Sequence, residues 1–457
     1  MRTPRALSLL AATGLLTSAA VPVLAAPNPN NPDKLVAAID ADSLWSHMEA
    51  FYAAAMDNGG HRAAGTPGYD ASVDYVVGEL EAAGYDVELQ EFEFTYTETL
   101  HQELRQLSPV ERDLEHTVFT YSPSGSATAA ELAVPGSDVL GCTADAYEGA
   151  DLTGRIALVS RGECPFADKS LAAAAVGAEA VIIYNNTGGA INGTLGAPSD
   201  DYVATIGVSG ELGQELVGQL ADGPVTVDLD LQQLVEQRTT VNVLAETETG
   251  RDDNVVIVGA HLDGVPEGPG MNDNASGAAA TLEVATALAP VNKVNNKVKF
   301  AFWGAEEIGL LGADHYVNEL SQAERDAIAM YVNLDMVAPL DHQNTLGILQ
   351  GDFSLGAEAV LEAQLTNDGH PTGPAGNGNN SDYAPFVAAG IPATGLLSYY
   401  DSNYHTAEDD LDNVSLTSLH HSARAVAALV GEFAYDTSLI NDTCSAGRSG
   451  KPHPGGC

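Results

Sequence analysis

The sequence predicts an α/β protein, with a mostly parallel central sheet flanked by helices and a smaller α/β module inserted into it. Three observations carry this. The apolar runs TTVNVLAE, NVVIVGA, KVKFAFWG, AMYVNLDM, TLGILQG and PATGLLS alternate with helical segments through the second half of the chain, the rhythm of strand–helix units on a parallel sheet. A different texture interrupts the first half from about Glu131 to Val235, where the short strands IALVS and AVIIYN flank a small-residue helix. The length, 457 residues, exceeds what one compact core usually holds, so two domains are expected.

From the N-terminus, Arg2 and Arg5 give a basic start, Ala6 to Ala20 is apolar, and Val23-Leu24-Ala25 fits a small-residue cleavage rule. Residues 1–25 therefore read as an export signal, with a mature protein beginning near Ala26, secreted to the extracellular space or the periplasm. The apolar run is short for a membrane span and no later segment qualifies, so no membrane anchor is expected. Residues 34–130 open the main domain. Within them Pro67 to Ala83 has helical periodicity, with Val73, Val76, Val77 and Leu80 on one stripe and Gly84 at its end. Val87, Leu89, Phe92 and Phe94 then suggest a strand. The insert spans 131–235, the main domain resumes over 236–435, and the tail 436–457, rich in Gly, Ser and Pro, reads as loop.

The insert carries Gly154-Arg155-Ile156-Ala157-Leu158-Val159, Arg161-Gly162, Cys164-Pro165-Phe166, Lys169, and Gly177-Ala178 followed by Tyr184-Asn185-Asn186. It resembles the protease-associated domain, which implies a lid or substrate-access module rather than a catalytic one. Export makes the four cysteines candidates for disulfides. Three pairings exist, and proximity favours Cys142–Cys164 and Cys444–Cys457. No Cys-x-x-Cys spacing is present, which argues against a thiolate zinc site.

Hydrophobic residues make up 45% and charged residues 18%, a globular balance. With 18 Lys+Arg against 63 Asp+Glu the formal net charge is −45, which excludes nucleic acid as a partner because phosphate binding needs a basic footprint. The acids are spread along the chain, so they describe a solvated, self-repelling surface, and they also suit a high-salt habitat. Asn-x-Ser/Thr sites at Asn185, Asn192, Asn379, Asn413 and Asn441 matter only in a glycosylating host.

In open α/β sheets, ligand-binding side chains gather beyond the carboxyl ends of strands. Here NVVIVGA ends at His261 and Asp263, KVKFAFWGA at Glu306 and Glu307, and AMYVN at Asp335. Asp273 begins a helix, and a late loop supplies Tyr404 and His405. Singly each is a common strand-end residue. Together, two imidazoles and several carboxylates call for a cation, and nitrogen plus oxygen donors without thiolate suit zinc, though cobalt or manganese also bind such sets.

The motifs His261-x-Asp263, Gly270-x-Asn272-Asp273 with Ser276-Gly277, Glu306-Glu307-x-Gly309, Asn333-Leu334-Asp335-Met336 and Tyr404-His405-Thr406 with Asp409 occur in this order. They resemble those of the two-zinc exopeptidase family of aminopeptidase Y and secreted bacterial leucyl aminopeptidases. HRAAGTPGYDASVDYV is similar to an early segment of the same family. The resemblance implies two Zn2+ ions bridged by Asp273, one completed by His261 and Asp335, the other by Glu307 and His405. It implies a shared hydroxide with Glu306 as general base and Tyr404 as hydrogen-bond donor to the oxyanion, while Asp263 accepts from His261 and fixes its tautomer. The expected substrates are peptides with a free N-terminus, preferably with a large apolar first residue, their amino group met by Glu306 and Asp335.

Two features depart from the family pattern. Asn274 stands where an acid often follows the bridging Asp, and no cysteines flank Tyr404-His405. Asp382, in GNNSDYAPF, is read as either structural or site-lining. Three other functions stay open. A carboxypeptidase of the glutamate-releasing type would need Arg155, Arg161 or Arg424 at the site. A glutaminyl-cyclase-like transferase would use one zinc. A receptor-like binding protein would have lost ligands or base.

Overall fold

The computed structural model describes residues 31–435 except 137, 292, 341–344, 351–355, 377 and 399–400. The export signal and the Cys444–Cys457 pair lie outside the described residues.

The strands beside the functional motifs form one hydrogen-bonded series: Thr372–Ala375, Leu346–Leu349, Ala393–Ser398, Ile328–Asp335, Arg251–His261, Asn296–Trp303 and Thr226–Glu246. The four from Ala393–Ser398 to Asn296–Trp303 are mutually parallel. Leu346–Leu349 and Thr226–Glu246 join them antiparallel, so the sheet is mixed with a parallel centre. Helices cover both faces, which is why the central strands read as unbroken apolar runs. In Arg251–His261, Val256, Val258 and Ala260 enter one core while Ile257 enters the other, all fully buried. Each such side chain contributes roughly 1.5–3 kcal/mol relative to exposure.

Parallel order also fixes the site. Because the central strands point the same way, their last residues emerge along one edge. The helix Ser276–Leu288 lies close beneath this edge, and its small residues are the reason it can. A Cβ on Gly277 would stand 2.3 Å from Asn274 Oδ1 and 2.5 Å from the Leu334 carbonyl oxygen. The helix Pro67–Ala83 forms as its stripe predicts and stops at Gly84, which adopts φ +97°.

The predicted strand at Val87 continues to Ser108 and pairs along its length with Thr226–Glu246, a ribbon reaching from Val87↔Ala245 to Ser108↔Thr226. Its middle is held by cross-strand polar contacts: Gln237 Nε2 donates to Thr95 Oγ1 (2.7 Å), Gln233 Nε2 donates to Thr99 Oγ1 (2.8 Å), and the Arg238 guanidinium lies 3.4 Å over the Tyr96 ring. The ribbon leads into the inserted module, whose parallel strands Ile156–Ser160, Ala180–Tyr184 and Ala204–Val208 have cores on both faces. Cys142 and Cys164 are bonded there, with their Cα atoms 5.9 Å apart.

Candidate metal centre

His261 is the last residue of Arg251–His261, and Asp335 the last of Ile328–Asp335. Glu306 and Glu307 follow Asn296–Trp303, Asp273 lies in the turn before Ser276–Leu288, and His405 is on the loop after Ala393–Ser398. Five elements thus bring these side chains to one place, in two trios that share Asp273. His261 Nε2 lies 3.2 Å from Asp273 Oδ1 and 3.4 Å from Asp335 Oδ1. His405 Nε2 lies 3.2 Å from Asp273 Oδ2 and 3.0 Å from Glu307 Oε2. Within each trio, one donor atom from every member falls inside 4.8 Å of the others. The two oxygens of Asp273 therefore face different trios.

Three buried atoms here, Asp335 Oδ1, Glu307 Oε1 and His405 Nε2, carry no hydrogen bond. Buried polar atoms of a folded protein are normally paired, so one unpaired atom in the His261 trio and two in the His405 trio mark each trio as a cation position. The chemistry fits zinc: imidazole and carboxylate ligands, no thiolate, and three protein donors per trio, which leaves a position open. Some of the backbone strain also lies here, with positive φ at Ala305, Met336 and His405, each at or beside a motif residue.

Without a cation, protons take up part of this charge. Burial alone would depress His261, but the Glu306 and Asp335 carboxylates raise it well above its ordinary value. Burial likewise opposes charge on His405, yet Asp273 and Glu307 raise it to about 10. Burial lifts Glu307 to about 7, with Asp273 adding to it, and pushes Glu306 well up. Asp273, although buried, is held below the usual carboxylate range by the two imidazoles.

Asp263 takes a different position from the one expected. The nearer acceptor for His261 Nδ1 is the Asp263 backbone oxygen at 3.1 Å, while its carboxylate Oδ1 is 3.8 Å away. The carboxylate instead accepts the backbone N–H of Glu306 (3.1 Å) and of Glu307 (3.3 Å). A carbonyl held by the strand end satisfies the imidazole first, which frees the acid to anchor the glutamate pair. Tyr404 is 49% exposed and stacks on His405 with ring centroids 3.7 Å apart. Burial of its inner part and the facing carboxylates raise its phenol, which keeps it a donor at neutral pH.

A family model described as Peptidase family M28 matches residues 242–430, and a PA domain model matches 128–216. A protein named as the probable lipoprotein aminopeptidase LpqL of Mycobacterium tuberculosis is 38% identical over 436 residues, covering 87% of this chain and 86% of its own. This chain belongs to peptidase family M28. Leucine aminopeptidase 2 of Trichophyton rubrum is 36% identical over 82% of the M28 chain and 80% of its own. Among solved structures, the aminopeptidase from Aneurinibacillus sp. strain AM-1 superposes with a TM-score of 0.78 at 31% identity, covering 90% of this chain and 97% of that one. The zinc aminopeptidase BSAP from Bacillus subtilis gives 0.67 at 26% identity, covering 87% and 96%. The M28 chain is thus a metallo-aminopeptidase with an inserted PA domain.

Further buried residues, to which the sequence motifs assign no role or an open one, support the ligands. Fully buried Arg62 donates from Nε to the Pro269 oxygen (3.1 Å), from Nη2 to the Gly270 oxygen (2.7 Å), and from Nη1 to the Leu262 oxygen. A chain of donors runs from Trp303 Nε1 to Tyr331 Oη (2.8 Å), to Asn333 Oδ1 (3.0 Å), and from Asn333 Nδ2 to Ser381 Oγ (2.9 Å). It ends on Asp335 Oδ2 (2.6 Å). Asp382 is buried with both oxygens unpaired, and burial drives it well above the carboxylate range. Asp409 receives amides from the Asp273 turn. Asn274 both donates to the Leu334 oxygen (2.8 Å) and accepts from the Gly277 and Met336 amides (2.9 and 3.1 Å), a double role an ionised acid cannot fill.

Proposed function

We propose that this protein is an exported zinc aminopeptidase that removes large apolar residues from the N-termini of peptides, with two zinc ions held by His261, Asp273 and Asp335 and by Asp273, Glu307 and His405. The observation that carries the reading is the shared Asp273, whose two oxygens each sit 3.2 Å from a different histidine. Bound zinc supplies Lewis acidity, polarising the scissile carbonyl and acidifying the attacking water.

The chain's own residues do the rest. Glu306 and Glu307 come shortly after the strand Asn296–Trp303, and adjacent side chains diverge, so Glu307 binds metal while Glu306 takes the proton from water and passes it to the leaving amine. Asp263 holds both glutamates in place through their amides. The hydroxyl of Tyr404, whose ring stacks on His405, donates to the tetrahedral oxyanion. Glu306 and Asp335 meet the substrate's ammonium group, and the same charges repel a carboxylate. The arginines a carboxypeptidase would need are engaged elsewhere: Arg424 with Asp368 (2.9 and 3.1 Å), Arg155 with Glu131 (3.1 Å), Arg161 with Asn185 (3.4 Å). Export rests on the sequence of residues 1–25; no described helix is long and apolar enough to cross a membrane.

The test is release of leucine from a leucyl peptide with its N-terminus free or acetylated, using zinc-loaded protein. Cleavage of the free form alone, from the amino end, is expected. Release from the carboxyl end of both forms would overturn the assignment.

A further inference from the structure

We infer that Asp409 is a positioning residue that sets the spacing between the two ligand trios. The inference rests on the ligand assignments proposed above and concerns a residue outside them. Asp409 is 2% exposed and cannot reach substrate. It takes up the amides of three consecutive residues in the turn that carries Asp273. The Met271 N–H donates to the Asp409 backbone oxygen (3.0 Å), the Asn272 N–H to Oδ1 (2.8 Å), and the Asp273 N–H to Oδ2 (3.0 Å). Asn413 Nδ2 also donates to Oδ1 (2.8 Å), so both carboxylate oxygens are engaged.

Asp409 stands four residues after His405 on the same loop. Its own amide donates to the Thr406 oxygen (3.2 Å), and the Thr406 amide to the Asn403 oxygen (3.1 Å). The two loops touch closely: a Cβ on Gly268 would lie 2.2 Å from the Thr406 oxygen. His261 and Asp335 have an independent frame, since the strands that present them pair in parallel. His405 has no strand of its own, and its register against Asp273 and Glu307 depends on this clasp, seconded by Asn272 Nδ2 donating to Asp401 Oδ2 (2.7 Å) on the same loop. Asp273 belongs to both trios, so loss of the carboxylate touches both, but it loosens the His405 trio more, because the other two ligands of the His261 trio are held by paired strands.

The experiment uses full-length protein stripped of metal and titrated with zinc against a chromophoric chelator, and with cobalt(II) followed by its visible spectrum. The variants are Asp409→Asn, Asp409→Glu and, as controls, His405→Ala and His261→Ala. The expected result for Asp409→Asn is one zinc equivalent weakened about 10–100-fold, the size of effect seen when an outer partner of a ligand is removed. The other equivalent weakens much less, the cobalt spectrum at that site matches that of His405→Ala, and excess zinc restores the rate. Asp409→Glu, whose extra carbon misplaces the charge, gives the same selective loss and serves if the Asn variant does not fold. Parental affinity at both equivalents, or equal loss at both, overturns the inference while His405→Ala still loses one equivalent. Retention of both equivalents by His405→Ala overturns the ligand assignment, and this inference with it.

Discussion

Glu306 and Glu307 are neighbours in sequence with different tasks in the proposed mechanism, and a single oxygen-to-nitrogen exchange in either tests the division. Glu306→Gln keeps the size and removes the base. It is expected to lower kcat by about 10²–10⁴-fold, the usual worth of general acid–base catalysis, with zinc content unchanged by metal analysis. Glu307→Gln is expected to lose zinc. If Glu306→Gln loses zinc instead, the two roles are reversed. Protonation gives a second prediction at this scale. In the metal-free protein His405 binds a proton below about pH 10 and Glu307 below about pH 7. Zinc must displace both protons, because ligands bind it deprotonated. Affinity therefore rises with pH, by about tenfold per unit for each proton displaced, most steeply below pH 7 and more gently up to about 10. Zinc titrations at pH 6 and pH 8 check the sign, and equal affinities would contradict it.

Elements deliver these residues, and their legibility in the sequence follows from their burial. Strands covered on both faces, such as Arg251–His261, have to be apolar throughout, so they stand out, and the polar residues at their ends stand out against them. The ribbon of Val87–Ser108 with Thr226–Glu246 was visible only at the apolar stretches near Phe92 and Val243. Its exposed middle is held by Gln, Thr and Arg pairs, which carry no hydrophobic period. The same reason hid Arg62. A buried arginine that satisfies three carbonyls looks, in sequence, like any surface cation. Its contacts join the segment before Pro67–Ala83 to the loop between His261 and Asp273. Arg62→Met removes this donor from the Leu262 and Pro269 carbonyls, while Gly270 keeps the Ala275 amide, and is expected to cost about 2 kcal/mol or more in denaturant unfolding. The loss should appear in chelator as well as in zinc, since the clamp acts on backbone. A change below about 0.5 kcal/mol, the range of ordinary surface substitutions, would show that the clamp holds nothing.

At the scale of the whole molecule, the motifs that order the site and the charge that covers the surface are separate properties of one sequence. The motifs place carboxylates where a cation compensates them. The surface has no such remedy, because the chain carries 63 acids and only 18 Lys+Arg. Even well-placed cations are shared, as where Lys297 lies 2.8 Å from Glu246 and 2.7 Å from Asp252. Most acids therefore repel one another through solvent, and folding concentrates that repulsion. Its range is set by ionic strength, about 10 Å at 0.1 M and about 3 Å at 1 M. The unfolding midpoint of the metal-loaded protein is accordingly expected to rise steadily as sodium chloride is raised from about 0.02 to 1 M. The rise should be absent when sucrose replaces the salt at matched osmolality, because sucrose leaves charges unscreened. It should also shrink below about pH 4, where the carboxylates take up protons and the repulsion they cause disappears. A midpoint indifferent to salt at neutral pH would mean that the acids are far enough apart for water alone to separate them, and that high salt confers no advantage on this fold.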